Sequence, residues 1–254
     1  MRITPNSQAY STSSPDAITR KFCLVLFTNS PCISAKVTVV VARITGVRFF
    51  RKSSVLNLFG MKIDKNDLYG NLYREALKSD TDCGGLMAYN YFSGEPVTGL
   101  NEGRPMFVRT PDAKFTLANF MRTHLYSALA TLKVGNDILL KEEKVKVDSL
   151  MGHGGLFKTP VVGQQILAAA MGAPVTVMDT ASEGGAWGIA ILACFMQEKG
   201  ANETLPEYLN NKIFAGQTGT TIAPKAEDVE GFDKFVKKYL STLPAQKAAV
   251  EGLR

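Results

Sequence analysis

Only two histidines and four cysteines occur in the 254 residues. Cys23, Cys32, Cys83 and Cys194 form no C-x-x-C pair, and His124 and His153 are the only imidazoles that could join them. The familiar zinc spacings are thereby excluded, and no metal site is indicated. Scattered cysteines of this kind suit a reducing cytoplasm, where a thiol packs as a small apolar group. Long hydrophobic runs are missing as well. Phe22 to Phe27 and Val37 to Val41 are separated by Asn29, Ser30, Pro31 and Lys36, short of the roughly 18 consecutive apolar residues that a membrane helix needs. The first apolar stretch also starts too late, and lacks the small-residue cleavage site, for a signal peptide. A cytoplasmic protein with no membrane partner is the expectation.

Acidic residues are scarce at one end only. Residues 1–54 hold eight lysines and arginines against Asp16 alone, a charge of +7 within a total of +6. The other 200 residues are therefore nearly neutral. A basic arm of this kind raises nucleic acid as a partner, through counterion release. Its aromatic interleaving is slight, Tyr10, Phe22, Phe27, Phe49 and Phe50 only, and no recognition motif accompanies it, so nucleic acid is not an expected partner.

What is present is an ordinary core, 45% hydrophobic, in a chain long enough for one large domain or two small ones. The division falls between the basic segment 1–54, expected to be poorly ordered, and an α/β region over 55–254. In that region the pattern predicts a helix from Asn66 to Lys78, a strand over Gly85–Phe92 and a Gly/Pro-rich loop from Ser93 to Pro111. Arg104 and Arg109 in the loop are surface charges or anion contacts. A helix over Thr116–Leu140 follows, with Leu117, Phe120, Met121, Leu125, Ala128, Leu132 and Ile138 near one stripe. His124 on this helix reads as a packing residue. Strands at Val145–Met151 and Val175–Met178 then alternate with helices, which predicts a parallel or mixed sheet with helical cover.

The run from Leu150 to Met196 carries the chemistry. A glycine turn, Gly152 to Gly155, separates strand from helix, with Thr159 as N-cap, Pro160 at the first helical position, Gly172 as terminator and Pro174 beyond it. Unpaired N–H groups at a helix start, and glycines that admit an anion without a Cβ, suit a phosphate; an ordinary turn is the competing reading. Two phosphate motifs fail here. A P-loop needs glycine where Phe157 precedes Lys158 and Thr159, and a dinucleotide fingerprint needs its third glycine at Phe157. His153, inside the turn, either packs or touches a nucleotide. Further on, Glu183-Gly-Gly-Ala-Trp-Gly188 enters a helical pattern through Ile189, Ile191, Leu192 and Phe195. Each internal glycine costs about 1 kcal/mol relative to alanine, so Gly184 and Gly188, one turn apart, imply close packing or ligand approach.

This order of paired glycines, a glutamine-bearing helix, Ala-Pro-Val and EGGAWGIAIL resembles the C-terminal signature region of the FGGY carbohydrate kinases, which include xylulokinase and glycerol kinase. Tyr89–Pro96, YNYFSGEP, resembles the segment that opens this lobe in xylulokinase-like members. Phe115–Leu132, with its central Arg122, resembles the long helix behind the ATP site, and Thr220–Leu240 the closing Pro-acidic turn and amphipathic helix. The resemblance implies a ribonuclease-H-like lobe of the actin and sugar-kinase superfamily, with a mixed sheet flanked by helices. It also implies ATP as ligand, with Mg2+ arriving through the nucleotide phosphates. Gly154 and Gly155 match the glycines against the ribose and α-phosphate, Leu156 and Thr159 fall near the adenine side, and Gln164 or Gln165 is the helix glutamine, Gln164 bracing the loop. Ala186 and Gly188 match the small residues of the last helix.

The same resemblance shows what is missing. Phosphoryl transfer by such kinases rests on positioning, electrostatic stabilisation and a carboxylate that accepts the hydroxyl proton. In the family, that base, the sugar contacts and an Asp-Gly-Thr loop lie in the N-terminal lobe, and a Gly-Thr-Gly turn opens the C-terminal one. None is found here, and Asp16 after Pro15 is a poor base, so no catalytic residue is assigned. The expectation is the C-terminal half of an ATP-dependent kinase of a ketose such as xylulose, inactive alone. Residues 1–54 would stand in for an N-terminal part lost by truncation or a shifted frame. A noncatalytic nucleotide-binding or assembly module is the alternative. An exposed half-cleft leads to the further expectation of self-association.

Overall fold

The computed structural model describes residue 60 and residues 64–144, 147, 150–178, 184–216 and 218–253. The basic segment 1–54 lies outside the described residues. Helix α1 (Lys65–Ala76) opens on Asp64, whose carboxylate accepts from the N–H groups of Asn66 at 2.7 Å and Asp67 at 3.4 Å. These are donors that a first helical turn leaves without partners. Strand β1 (Leu86–Tyr89) falls within its predicted range. The predicted loop 93–111, however, contains a second strand, β2 (Met106–Arg109), paired antiparallel with β1 from Leu86 opposite Arg109 to Tyr89 opposite Met106. Four residues between Pro105 and Thr110 are too few to show a period, and the ladder to β1 makes them a strand.

Helix α2 (Leu117–Asp137) is the centre of the molecule. Thr116 caps it, its hydroxyl accepting from the Asn119 N–H at 3.1 Å, and a π-type turn at Ile138–Glu142 carries the chain on to Glu143. A single apolar stripe is predicted, yet residues 121–127 are all buried and Leu117 is exposed. The helix is enclosed because α1 and the β1–β2 hairpin lie against it on some faces and the later helices on others. Its polar residues must then find partners inside. Thr123 donates to the Asn119 carbonyl at 2.7 Å, Ser127 to the Ala88 carbonyl, and Arg122 to Asp228 at 3.0 Å.

The second sheet has the order β3–β4–β5, with β3 (Leu150–Gly152) parallel to β4 (Val175–Met178) and β4 antiparallel to β5 (Gly219–Ile222). Of the predicted strand Val145–Met151, residues 145, 146, 148 and 149 lie outside the described residues. Helix α3 (Val162–Met171) crosses from β3 to β4 and packs on β4, β5 and α2. It ends where predicted: Gly172, at φ 62° and ψ 22°, donates its N–H to the Ala168 carbonyl. Left-handed backbone at this position is what glycine supplies without a Cβ penalty. Helix α4 (Gly184–Glu198), the short α5 (Leu205–Tyr208), α6 (Ala226–Ser241) and α7 (Leu243–Gly252) complete the fold. Phe232, Phe235 and Tyr239 of α6 enter the core beside Tyr126 and Tyr89, and the Tyr89 hydroxyl donates to the Tyr239 carbonyl.

Candidate functional site

The glycine turn leaves β3 and does not lead directly into α3. Gly154 stands at φ 104° and ψ −172°, a region that is essentially glycine's alone. A single 3-10 turn, Gly155–Lys158, follows, and the Phe157 ring folds back to 2.5 Å from where a Cβ on Gly152 would sit. Phe157 thus leaves no room for a side chain at position 152. Thr159 is extended, at φ −93° and ψ 109°, as the residue before a proline prefers. Val161 then takes φ 72° and ψ −47°, with the Val162 N–H donating to the Pro160 carbonyl at 2.9 Å. This is a γ-turn, a strained arrangement for a β-branched residue.

The predicted helix start is therefore corrected. Thr159 is not the N-cap and Pro160 is not the first helical residue, because the γ-turn delays α3 to Val162 and leaves it without a side-chain cap. Loop and helix still touch, since a Cβ on Gly163 would lie 2.6 Å from the Leu156 carbonyl oxygen.

The residues assigned to a nucleotide divide into two groups. Gly154, Gly155, Leu156 and Thr159 are brought together in the loop, Leu156 half-buried and Thr159 buried. Gln164 lies deeper, and its side-chain amide donates to the Val175 carbonyl at 3.2 Å and the Thr220 carbonyl at 2.6 Å. That amide therefore braces β4 and β5. Gln165 donates to Asp228 Oδ2 at 2.9 Å, joining a buried network in which Arg122 also donates to the Ala76 carbonyl and the Tyr126 hydroxyl. The Arg104 backbone N–H donates to Gln246 Oε1 of the C-terminal helix at 3.0 Å while its guanidinium donates to the Gly103 carbonyl at 2.9 Å and lies 3.8 Å from Glu102, and Arg109 lies 5.6 Å from the Phe115 ring centre. Protein groups thus engage both arginines.

The two histidines differ. His124 is fully buried between the rings of Phe107 and Phe120, neither ring nitrogen has a partner, and burial pushes its pKa down to about 4. His153 is 4% exposed, burial lowers its pKa from 6.5, and its Nδ1 has no hydrogen-bond partner. Its ring stacks on Trp187 at 6.2 Å and 28°, and Trp187 meets the Phe214 ring edge-on at 5.7 Å. Sequence reasoning does not reach this contact. Trp187 is the chain's only tryptophan, but nothing local connects it with a histidine 34 positions earlier.

Helix α4 exposes one apolar stripe, Ile189, Leu192 and Met196, at 61%, 43% and 78%. On its other side Ile191 is buried, and Phe195 packs against Tyr208 at 5.3 Å. Cys194 is exposed, unlike the buried Cys83. Among the described residues no cluster of three or more His, Cys, Asp or Glu could hold a metal, and no helix is long and apolar enough to cross a membrane.

A mixed sheet with helical cover, a glycine turn after its parallel strand and a glycine-rich helix beside that turn are the parts of a sugar-kinase lobe. The chain belongs to the FGGY family of carbohydrate kinases, whose C-terminal-domain model matches residues 49–196. That family's C-terminal domain is of the ribonuclease-H-like class of actin and sugar kinases, and solved structures share the fold. They include a ligand-bound xylulose kinase from Lactobacillus acidophilus, with a TM-score of 0.57 and 19% identity over 82% of this chain and 39% of that one. A gluconate kinase from the same organism gives 0.56 and 18%, over 79% and 38%. A xyloylose kinase from Brucella ovis gives 0.54 and 16%, over 87% and 39%. The chain thus spans about two fifths of the length of these structures. No curated protein matches it.

Proposed function

We propose that the chain is the nucleotide-side lobe of an ATP-dependent carbohydrate kinase, acting on a ketose such as xylulose when an N-terminal lobe is supplied and inactive alone. The observation that carries this reading is the glycine turn of a chain matched by the family's C-terminal domain, with Gly154 in a conformation that keeps side chains away from an approaching anion. Gly154 and Gly155 would lie against the ribose and α-phosphate, with Leu156 and Thr159 toward the adenine. Gln164 would act at one remove, holding β4 and β5 beneath the loop. Mg2+ would be carried by the nucleotide phosphates. Transfer also needs a carboxylate to take the sugar hydroxyl proton, and that group would come from the other lobe.

Isothermal titration with ATP tests the reading, with the chain alone and after addition of a sugar-kinase N-terminal lobe. The expected outcome is ATP binding by the chain and sugar-dependent ADP release only from the pair. Absence of ATP binding in both samples would defeat it. A noncatalytic nucleotide-binding or assembly module is the second reading, which the same glycine turn would serve. It predicts ATP binding with no ADP release from the pair. The exposed stripe on α4 supports self-association of the isolated chain, and a compact monomer in size-exclusion chromatography would count against that.

A further inference from the structure

We propose that the cleft between the loop before β1, the loop before α2 and helix α6 is a second binding site, taking a phosphate monoester of a small polyhydroxylated compound. It shares no residue with the glycine turn, and its volume of about 540 Å³ is that of a small-molecule site. Aspartate, threonine, lysine and glycine supply the whole lining, which excludes an apolar ligand. Lys114, Lys234 and Lys238 face the cleft together with Asp80, Asp82 and Asp112. Backbone contacts fix its walls. The N–H groups of Thr110 and Lys114 donate to the carbonyls of Gly85 at 3.2 Å and Gly84 at 2.9 Å, which ties the two loops together. A Cβ on Gly231 would lie 2.3 Å from the Thr81 carbonyl oxygen, so glycine is what lets α6 close on the first loop. Lys234 and Lys238 follow on the same side of that helix. A site built in this way needs little ordering when a ligand arrives.

Donors and acceptors are unequally engaged here. Each carboxylate already accepts from a group other than lysine: Asp82 from the Gly84 N–H at 3.1 Å, Asp80 from the Asn119 side-chain amide at 3.2 Å, and Asp112 from the Thr110 hydroxyl. The amines are held less closely. Lys114 stands 3.4 Å from Asp80 and Lys238 3.5 Å from Asp82, beyond the roughly 2.7–2.9 Å of a tight charge-assisted bond. Lys234 pairs only with Glu230 of its own helix at 2.8 Å among the described residues. All three side chains are more than half exposed, and exposed pairs of this kind are readily exchanged. Each ammonium carries three donors, so the cleft offers spare donors to an anion. A metal ion is excluded, because among the described residues no group of three or more His, Cys, Asp or Glu could hold one. Phosphate oxygens accept from several ammonium groups at once. The remaining carboxylate lone pairs and the hydroxyls of Thr81 and Thr110 suit ligand hydroxyls, which a bare anion would leave unused and a polyol ester supplies.

Calorimetric titration of the full chain with glucose 6-phosphate, inorganic phosphate and glucose tests the assignment. It is run on the unsubstituted protein, on the double variant Lys234→Gln with Lys238→Gln, and on Lys247→Gln, an exposed lysine of α7 outside the cleft, with folding of each checked by urea denaturation. Glucose 6-phosphate should bind about tenfold tighter than inorganic phosphate, near one hydrogen bond's worth, and glucose should not bind over the same range. The double variant should bind the ester at least about tenfold more weakly, while Lys247→Gln and saturating ATP leave its affinity unchanged. Absence of ester binding by the unsubstituted chain, inorganic phosphate binding as tightly as the ester, or a loss no greater in the double variant than in Lys247→Gln overturns the site. Displacement of the ester by ATP puts it in the nucleotide site instead and overturns the proposal as well. Failure of ATP to bind while the ester binds as expected overturns the nucleotide reading alone.

Discussion

Acidification should destabilise this fold through one identifiable ring. His124 is fully buried, both of its nitrogens lack partners, and burial lowers its pKa from 6.5 to about 4. The unfolded chain therefore takes up a proton first. Stability falls as the pH drops through 6.5 and levels off near 4, where the native ring protonates as well. Linkage over that interval gives a loss of about 1 kcal/mol near pH 5.5 and about 2–3 kcal/mol near pH 4.5. Against a typical stability of about 5–15 kcal/mol, the second figure is a large fraction. Urea denaturation followed by circular dichroism, at several pH values between neutrality and about 4.5, measures it. His124→Leu is the control, because it keeps an apolar side chain between Phe107 and Phe120 and cannot titrate. Asp112 and Asp137, held below the usual carboxylate range by hydrogen bonds from Thr110 and from Lys133 and Lys141, lose their contributions at lower pH in both proteins. Their effects cancel in the difference, as does that of His153. The substituted protein should be at least as stable at neutral pH and lose markedly less on acidification. Parallel stability curves for the two proteins would refute the reasoning.

Two further outcomes follow from the buried network and the strained turn. Asp228→Ala leaves Arg122 buried without its carboxylate, at 2% side-chain exposure, and should cost about 3–5 kcal/mol. Converting both residues, as Arg122→Met with Asp228→Leu, should cost clearly less than the sum of the single changes; additive losses in urea denaturation would sink the coupling. Val161→Gly removes a β-branched residue from positive φ, where the strain is of the order of 1–3 kcal/mol. Glycine's extra freedom in the unfolded chain offsets about 0.5–1 kcal/mol of that gain. A modest rise in denaturation midpoint is expected, and a fall would show that the turn is not strained.

Much of the helical frame is legible in the chain. Thr116 before an apolar repeat and Gly172 followed by Pro174 mark ends that the structure reproduces, because caps are satisfied within a few residues of the backbone they serve. The strand at Val175–Met178 is legible for a similar reason, as a short β-branched run after a proline. β2 is not, since Met106–Arg109 becomes a strand only by pairing with β1. The start of α3 is misread because Thr159-Pro160 has every local feature of a cap, while the chain spends two more residues turning at Val161. At the candidate site the glycines and their order are visible, but the work of Gln164 is not. Its amide reaches carbonyls on two strands 11 and 56 positions away, a distance that no local pattern encodes.

By itself the sequence determined the family-bearing glycine order, the approximate limits of α1 and α2, the end of α3 and the uneven charge, all of which depend on residue type and near-neighbour spacing. Tertiary structure alone decided which polar groups found partners. Arg122 meets Asp228, Gln165 meets that same carboxylate, and His153 comes to lie on Trp187 with one nitrogen unpaired. The physical reason is that burial makes an unpaired polar group costly, and only the packed chain determines which groups are buried and what stands beside them.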